Sequence, residues 1–196
     1  MNAIAPPIWL TGVRAQLEPL SLSHHDALCE AVRDGELWNL WYTSIPKPES
    51  MRAEIERRLG LLEKGSMLPF TVRDADGKVA GMTTYMNIDA GHKRVEIGST
   101  WYAKSVQRTP LNTECKLLLL THAFETLDCI AVEFRTSFFN QQSRNAILRL
   151  GARQDGILRC HQRHADGSLR DTCVYSIVAA EWPGVRNHLQ FKLKSQ

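Results

Sequence analysis

Between Val95 and Leu127 the chain reads VEIGSTWYAKSVQRTPLNTECKLLLLTHAFETL: a strand, a short polar loop and an amphipathic helix, in that order. The first turn of a helix carries free N–H groups and a partial positive charge, so a loop feeding directly into one can hold an anion, phosphate above all. The loop here is Gln107-Arg108-Thr109-Pro110-Leu111-Asn112, followed by Thr113. Proline suits a first helical turn, and Thr109 is placed to cap it. Further on, His161 and His164 titrate in the range that a general base needs. Strand alternation, however, turns His161 and Gln162 to opposite faces, and a hairpin end is usually wet. Arg159, Arg163 and Arg170 make the same hairpin basic, as a solvated face or as a contact for an acidic ligand. Trp38, Trp41 and Tyr42 crowd aromatic rings into LWNLWY, either as a turn covering the core or as one wall of an apolar pocket.

The elements that must place these groups follow from periodicity. Val13 to Leu17 alternates as a first strand, and Ser23 can cap a helix from about His24 to Arg33. A second helix runs from Met51 to Leu62, closed by Gly65. Strands at Pro69–Asp74 and Val79–Asn87 flank Asp76-Gly77, a strong hairpin signal. Arg94 to Tyr102 is the next strand, with Gly98 marking a bulge or the close approach of another backbone. Leu117, Leu120, Phe124 and Leu127 give the long helix from Pro110 to Leu127 one buried face. Ile130 to Arg135 alternates as a strand, and Asn140 can cap a helix ending at Leu150-Gly151. Ile157–His164 and Arg170–Val178 form a second hairpin around Asp166-Gly167, and Glu181-Trp182-Pro183 opens a C-terminal tail.

Composition bounds the partners. With 196 residues, 43% hydrophobic and 23% charged, the chain suits one globular domain, and no repeat or low-complexity linker divides it. A net charge of +3 is too small to imply nucleic acid, yet it is compatible with a polyanionic small molecule. Five cysteines without a C-x-x-C pair suggest reduced thiols, with neither a disulfide framework nor a zinc site. The opening MNAIAPPIWL lacks a secretory pattern and no apolar run reaches membrane-spanning length, so the expected location is the cytoplasm. No metal is expected, and the G-x-x-x-x-G-K-[ST] loop of nucleotide enzymes is absent.

The Val95–Leu127 stretch resembles motif A of the GNAT superfamily of acyl-CoA-dependent N-acyltransferases, whose loop of the form Q/R-x-x-G-x-G/A wraps the coenzyme A pyrophosphate. Gln107 matches that pattern, while Pro110 and Asn112 stand where the family usually has small residues. Asn140 to Ala152, NQQSRNAILRLGA, resembles the N-x-x-S-x-x-x-x-x-x-x-G-[AF] segment of the RimJ/RimL branch, which acetylates N-termini of ribosomal proteins. The GILR and DGSLRDT runs between Gly156 and Thr172 resemble bacterial relatives of that branch. The likeness spans about Val13 to Trp182. It implies a single domain over 1–196 of class α/β (α+β mixed): a GNAT fold whose mostly antiparallel twisted sheet is splayed between its fourth and fifth strands and flanked by helices.

The same resemblance implies roles. The reaction is acetyl transfer from acetyl-CoA to a primary amine, of a protein or peptide N-terminus or of a small molecule; a homodimer is allowed, and neither nucleic acid nor a membrane is a partner. Glu96 stands eleven positions before Gln107, the spacing of the base glutamate in histone-acetylating GNATs, with a solvated or ion-paired carboxylate among Lys93 and Arg94 as the other reading. Ser143 matches the serine that returns a proton to the coenzyme thiolate, although a polar residue three after an N-cap is also common for local reasons. Thr100, Trp101 and Tyr102 lend strand-edge backbone groups to the pantetheine. Gln107, Arg108, Thr109, Leu111, Asn112 and Thr113 surround the pyrophosphate, with Asn140 and Arg144 approaching from the next helix. Trp38, Trp41, Tyr42 and Gln162 border the acceptor, and Gln162 replaces the glutamate base of the RimL pattern. A protein that binds coenzyme A as a sensor or partner module without turnover is the alternative that Pro110, Asn112 and Gln162 sustain.

Overall fold

The computed structural model describes residues 8–164 and 166–195, so most of the N-terminal stretch read above for a secretory leader lies outside it. Eight strands form one sheet in the order β1-β2-β3-β4-β5-β6-β8-β7. They are β1 (Leu10–Thr11), β2 (Ala15–Pro19), β3 (Met67–Asp74), β4 (Val79–Asp89), β5 (Arg94–Tyr102), β6 (Ala131–Ser137), β7 (Arg153–Arg163) and β8 (Leu169–Val178). Only β5 and β6 run parallel; every other neighbouring pair is antiparallel. The helices are α1 (His25–Arg33), α2 (Met51–Glu63), α3 (Leu111–Thr121), α4 (Gln141–Arg149) and α5 (Trp182–Lys194). This is the mixed α/β arrangement, a mostly antiparallel sheet flanked by helices, that the resemblance implies. The fourth and fifth strands of the sequence reading are β5 and β6, because the two-residue β1 precedes them.

Each face of the sheet buries its own core. On one face Val95, Ile97, Val132 and Ile177 pack with Leu119 and Leu120 of α3 and Leu189 of α5. On the other, Met82 and Trp101 pack with Leu28 and Val32 of α1 and Ile55 of α2. Burial of a side chain of this size contributes about 1.5–3 kcal/mol, so the two layers hold β5 from both sides.

Three expectations are corrected. The first long strand starts at Ala15, two residues late, because Val13 is 85% exposed and belongs to the turn after β1. The tail after Glu181 is helix α5: Pro183 falls in its first turn, where no N–H is missed, and Trp182, Val185, Leu189 and Leu193 supply a buried stripe. The long helix is regular α only to Thr121, and His122–Thr126 widens into a π turn. At that junction the buried Tyr85 hydroxyl donates to the Leu119 carbonyl at 2.5 Å, a side chain inserted where the helix ladder loosens.

Candidate active site

Two strands that begin as partners come apart. β5 and β6 pair at Arg94↔Ala131, Val95↔Val132 and Glu96↔Glu133, and there the ladder ends. Beyond that pair β5 stays bonded to β4 as far as Tyr102↔Gly81, and β6 stays bonded to β8 as far as Ser137↔Thr172. Each strand keeps its outer neighbour, so a V-shaped slot opens between their inner edges, and strand edges offer rows of backbone donors and acceptors. β5 is also bulged within this slot. Gly98 opposes Thr84 and Trp101 opposes Met82, three steps against two, and Ser99 takes up the extra residue at φ +47°. The bulge therefore sits at Ser99. At Gly98 it is side chains and not another backbone that come close: a Cβ there would lie 2.9 Å from both Glu96 Oε1 and Met86 Sδ.

Glu96 stands at the apex of the slot, in the last paired position before the strands separate. It is only 5% exposed. Asn87 Nδ2 donates to its Oε2 at 2.7 Å, and Arg135 Nε lies 3.7 Å away. Burial pushes the carboxyl above the usual glutamate range, against the pull of Asn87 and Arg135. The neighbours read from sequence are engaged elsewhere: Lys93 pairs with Asp128, and Arg94 with Glu133 at 3.7 Å. A buried carboxyl with a raised pKa at the apex of a slot is a candidate proton acceptor.

The loop into α3 closes the open end. Arg108 is exposed at φ +62°. The Thr109 hydroxyl donates to Val106 O at 2.7 Å and receives Leu111 N–H at 3.4 Å, but the N-cap position of α3 falls on Pro110, without a side-chain cap, so the cap expected at Thr109 is one residue early. Asn112 and buried Thr113 lie in the first turn, whose N–H groups a helix leaves for an outside acceptor. Gln107 is not free to reach a ligand in the expected way. Its Nε2 donates to Tyr102 O at 2.9 Å, and its Oε1 accepts from Gln142 Nε2 at 3.2 Å, so it bridges the end of β5 to α4. The Tyr102 carbonyl is thereby occupied. The side chains of Trp101 and Tyr102 are buried in opposite cores, which leaves Thr100 as the half-buried side chain of the three.

On the far wall Asn140 caps α4, its Oδ1 accepting Ser143 N–H at 3.0 Å, which leaves its amide NH2 for other use. Ser143 contributes only its backbone to that cap and is half-buried. Arg144 is tied to Tyr175 Oη at 3.1 Å and to Phe138 O at 3.2 Å, and it lies 4.8 Å over the Phe138 ring. The aromatic segment divides. Trp38 packs onto the α1–α2 core, whereas Trp41, 56% exposed, meets Phe139 at 5.2 Å, His164 at 5.5 Å and Tyr42 at 5.7 Å. Gln162 is exposed and accepts from Arg170 Nη1 at 2.8 Å, and the Arg170 cation is in turn within the field of Glu96.

Sequence reasoning missed Arg58, Lys116, Arg135 and the Phe138-Phe139 pair. Lys116 on α3 is buried and donates to Thr100 Oγ1 at 3.3 Å, and burial pushes its amine down to about 8. A lysine one residue after buried Cys115 carries no periodic signal of its own, since long side chains usually snorkel out.

Residues 14–153 match the family described as acetyltransferase (GNAT) domain. The chain belongs to the GNAT acetyltransferases. Among GNAT relatives, the Bacillus subtilis (strain 168) protein named "Putative ribosomal N-acetyltransferase YdaF" is 31% identical over 109 residues, 56% of this chain and 58% of that protein. The chain thus matches little more than half of that curated relative. A structure from T. thermophilus described as a "putative acetyltransferase" is 34% identical, covers 96% of this chain and 98% of its own, and superimposes with a TM-score of 0.84. Mycobacterium smegmatis RimJ in complex with CoA-disulfide, at 22% identity and a TM-score of 0.80 over 95% of each chain, shares the GNAT fold. Among the described residues, no helix is long and apolar enough to cross a membrane.

Proposed function

We propose that this chain, acting as one domain, moves the acetyl group of acetyl-CoA to a primary amine, and that the acceptor is the α-amine of a protein or peptide. The observation that carries the reading is Glu96, buried with a raised pKa at the last β5–β6 pair before the slot opens. Family membership supports the reaction class, the name of the Bacillus relative supports a protein acceptor, and the CoA-disulfide bound to RimJ supports the cofactor.

Acetyl-CoA supplies the activated acyl group. The residues present fit it: a helix N-terminus at Leu111–Thr113 for the pyrophosphate, and a free strand edge beside the Ser99 bulge for the amides of the pantetheine arm. Arg108 and the Asn140 amide add donors around the phosphates. The amine enters from the side where Trp41, Tyr42, Phe139 and Gln162 stand. Its nitrogen forms the new C–N bond, its proton passes to Glu96 directly or through one water, and the C–S bond breaks with its electron pair left on sulfur. The Ser143 hydroxyl, on the opposite wall, gives a proton to that sulfur and regains one from solvent, to which Glu96 releases the proton taken from the amine.

Binding alone is tested by thermal shift. At a concentration one hundredfold above its dissociation constant, acetyl-CoA stabilises the fold by about 2.7 kcal/mol. A transition unmoved by millimolar acetyl-CoA and by CoA contradicts the reading.

A further inference from the structure

The geometry points to Arg58 of α2 as a positioning residue that holds the β5 bulge in its working shape; this deepens the acetyl-transfer reading and rests on it. Arg58 is 2% exposed, and each of its three donor nitrogens has an acceptor. Nε donates to Glu54 Oε1 at 2.7 Å. Nη1 donates to Thr84 Oγ1 at 2.8 Å, on the strand opposite the bulge. Nη1 and Nη2 both reach Ser99 O at 3.2 Å. Glu54 is itself held by Arg57, through contacts of 2.8 and 2.9 Å. A buried guanidinium is tolerated only when its charge and its donors are answered, so this arrangement is costly to build merely to fill space.

What the clamp grips decides its role. Ser99 has a left-handed backbone that a residue with a side chain adopts reluctantly. The competing arrangement is an unbulged ladder, and losing the extra residue turns every later side chain to the other face. Trp101 would leave the α1–α2 core and Tyr102 the α3 core. Arg58 holds the carbonyl that marks the bulge, and because the peptide unit is planar, fixing the Ser99 carbonyl also fixes the Thr100 N–H. From the other face Lys116 Nζ and Thr83 Oγ1 hold the Thr100 hydroxyl, at 3.3 and 2.8 Å. The peptide that lines the slot beside Glu96 is thus gripped from both helical layers, by Arg58 of α2 on its carbonyl and by Lys116 of α3 on the Thr100 hydroxyl. Fixed backbone dipoles serve a reaction best when they need no reorganisation.

The experiment compares Arg58→Met, Arg58→Lys and Glu54→Gln with the wild-type chain. In Arg58→Met, kcat falls by about 30-fold or more, on the scale that a misplacement of roughly 1 Å produces. KM for acetyl-CoA rises by a smaller factor than kcat falls, because the pyrophosphate loop is untouched and only the strand edge beside the pantetheine arm loosens. Arg58→Lys recovers part of the loss, since one ammonium can still reach Ser99 O, and Glu54→Gln gives a smaller loss of kcat with a smaller change in KM. Should Arg58→Met fail to fold, wild-type kcat in both of the other variants overturns the proposal. Hydrogen exchange of the amides from Gly98 to Tyr102, read on the free protein, separates this inference from the functional reading. Faster exchange there in the Arg58 variants, with α3 unchanged, supports the clamp even if no acceptor is turned over. Unchanged exchange, or an Arg58→Met kcat equal to wild type, contradicts it.

Discussion

Glu96→Gln isolates one proton. The amide keeps the shape and can still meet Asn87, but it cannot take a proton from an amine. We expect turnover to fall by roughly a hundredfold or more at neutral pH, the usual worth of a positioned base, with acetyl-CoA affinity nearly intact. The deficit shrinks as pH rises, because free amine then becomes available without help. The sign for the wild type follows from the raised pKa: the acid limb of its rate profile lies above the ordinary glutamate range, since Glu96 must lose its proton to act. Ser143→Ala is expected to lower turnover with a weaker pH dependence, because the task proposed for it is at the departing sulfur. Steady-state kinetics from pH 6 to 9 read both. Spacing to Gln107 made Glu96 a candidate, but its surroundings could not be read from the sequence. Asn87 and Arg135 reach it across neighbouring strands, whereas the cations adjacent in sequence point to other partners. Gln107 shows the same limit: the residue matched a motif, yet its amide spans β5 and α4.

At the scale of elements, α3 carries a buried lysine whose charge the fold tolerates poorly. Burial lowers the Lys116 pKa from 10.5 to about 8. A depressed folded pKa means that the fold is favoured fully above the unfolded value and loses that stability as pH falls through the folded one. The penalty at neutral pH is therefore about 3 kcal/mol, from roughly 1.4 per unit. Lys116→Met should raise stability at pH 7 by about 1–3 kcal/mol, the lower figure allowing for the lost Thr100 bond, and should change little near pH 11. Denaturant unfolding at the two pH values measures it, and a net loss at pH 7 would contradict the assignment. Elements with strict periodicity were readable: β5 falls on the expected Arg94–Tyr102, and α4 ends where Leu150-Gly151 foretold, with Gly151 at φ +101°. α5 was missed because Pro183 reads as a break, although proline costs nothing in a first turn. The LWNLWY segment forms short turns without a period, so nothing in its order told Trp38, facing the core, from Trp41, facing out.

For the whole molecule, the slot is a property of topology. A parallel β5–β6 pair requires α3 as its crossover, and this places a helix N-terminus at the end where the strands part. Periodicity could specify each strand but not which neighbours stay bonded, so the splay was reached through family resemblance alone. In the proposed reading the aromatic cluster borders the amine and the N-termini of α3 and α4 border the cofactor, with Glu96 at the apex of the slot. The most direct test of this arrangement is stoichiometric: free thiol released from acetyl-CoA and acetylated product formed, measured together on peptides with free and with blocked α-amines. The account predicts one thiol per acetylated peptide for the free amine, no product from the blocked one, and loss of both signals in Glu96→Gln at pH 7. Thiol release that is independent of the amine, or full turnover by Glu96→Gln, would contradict it.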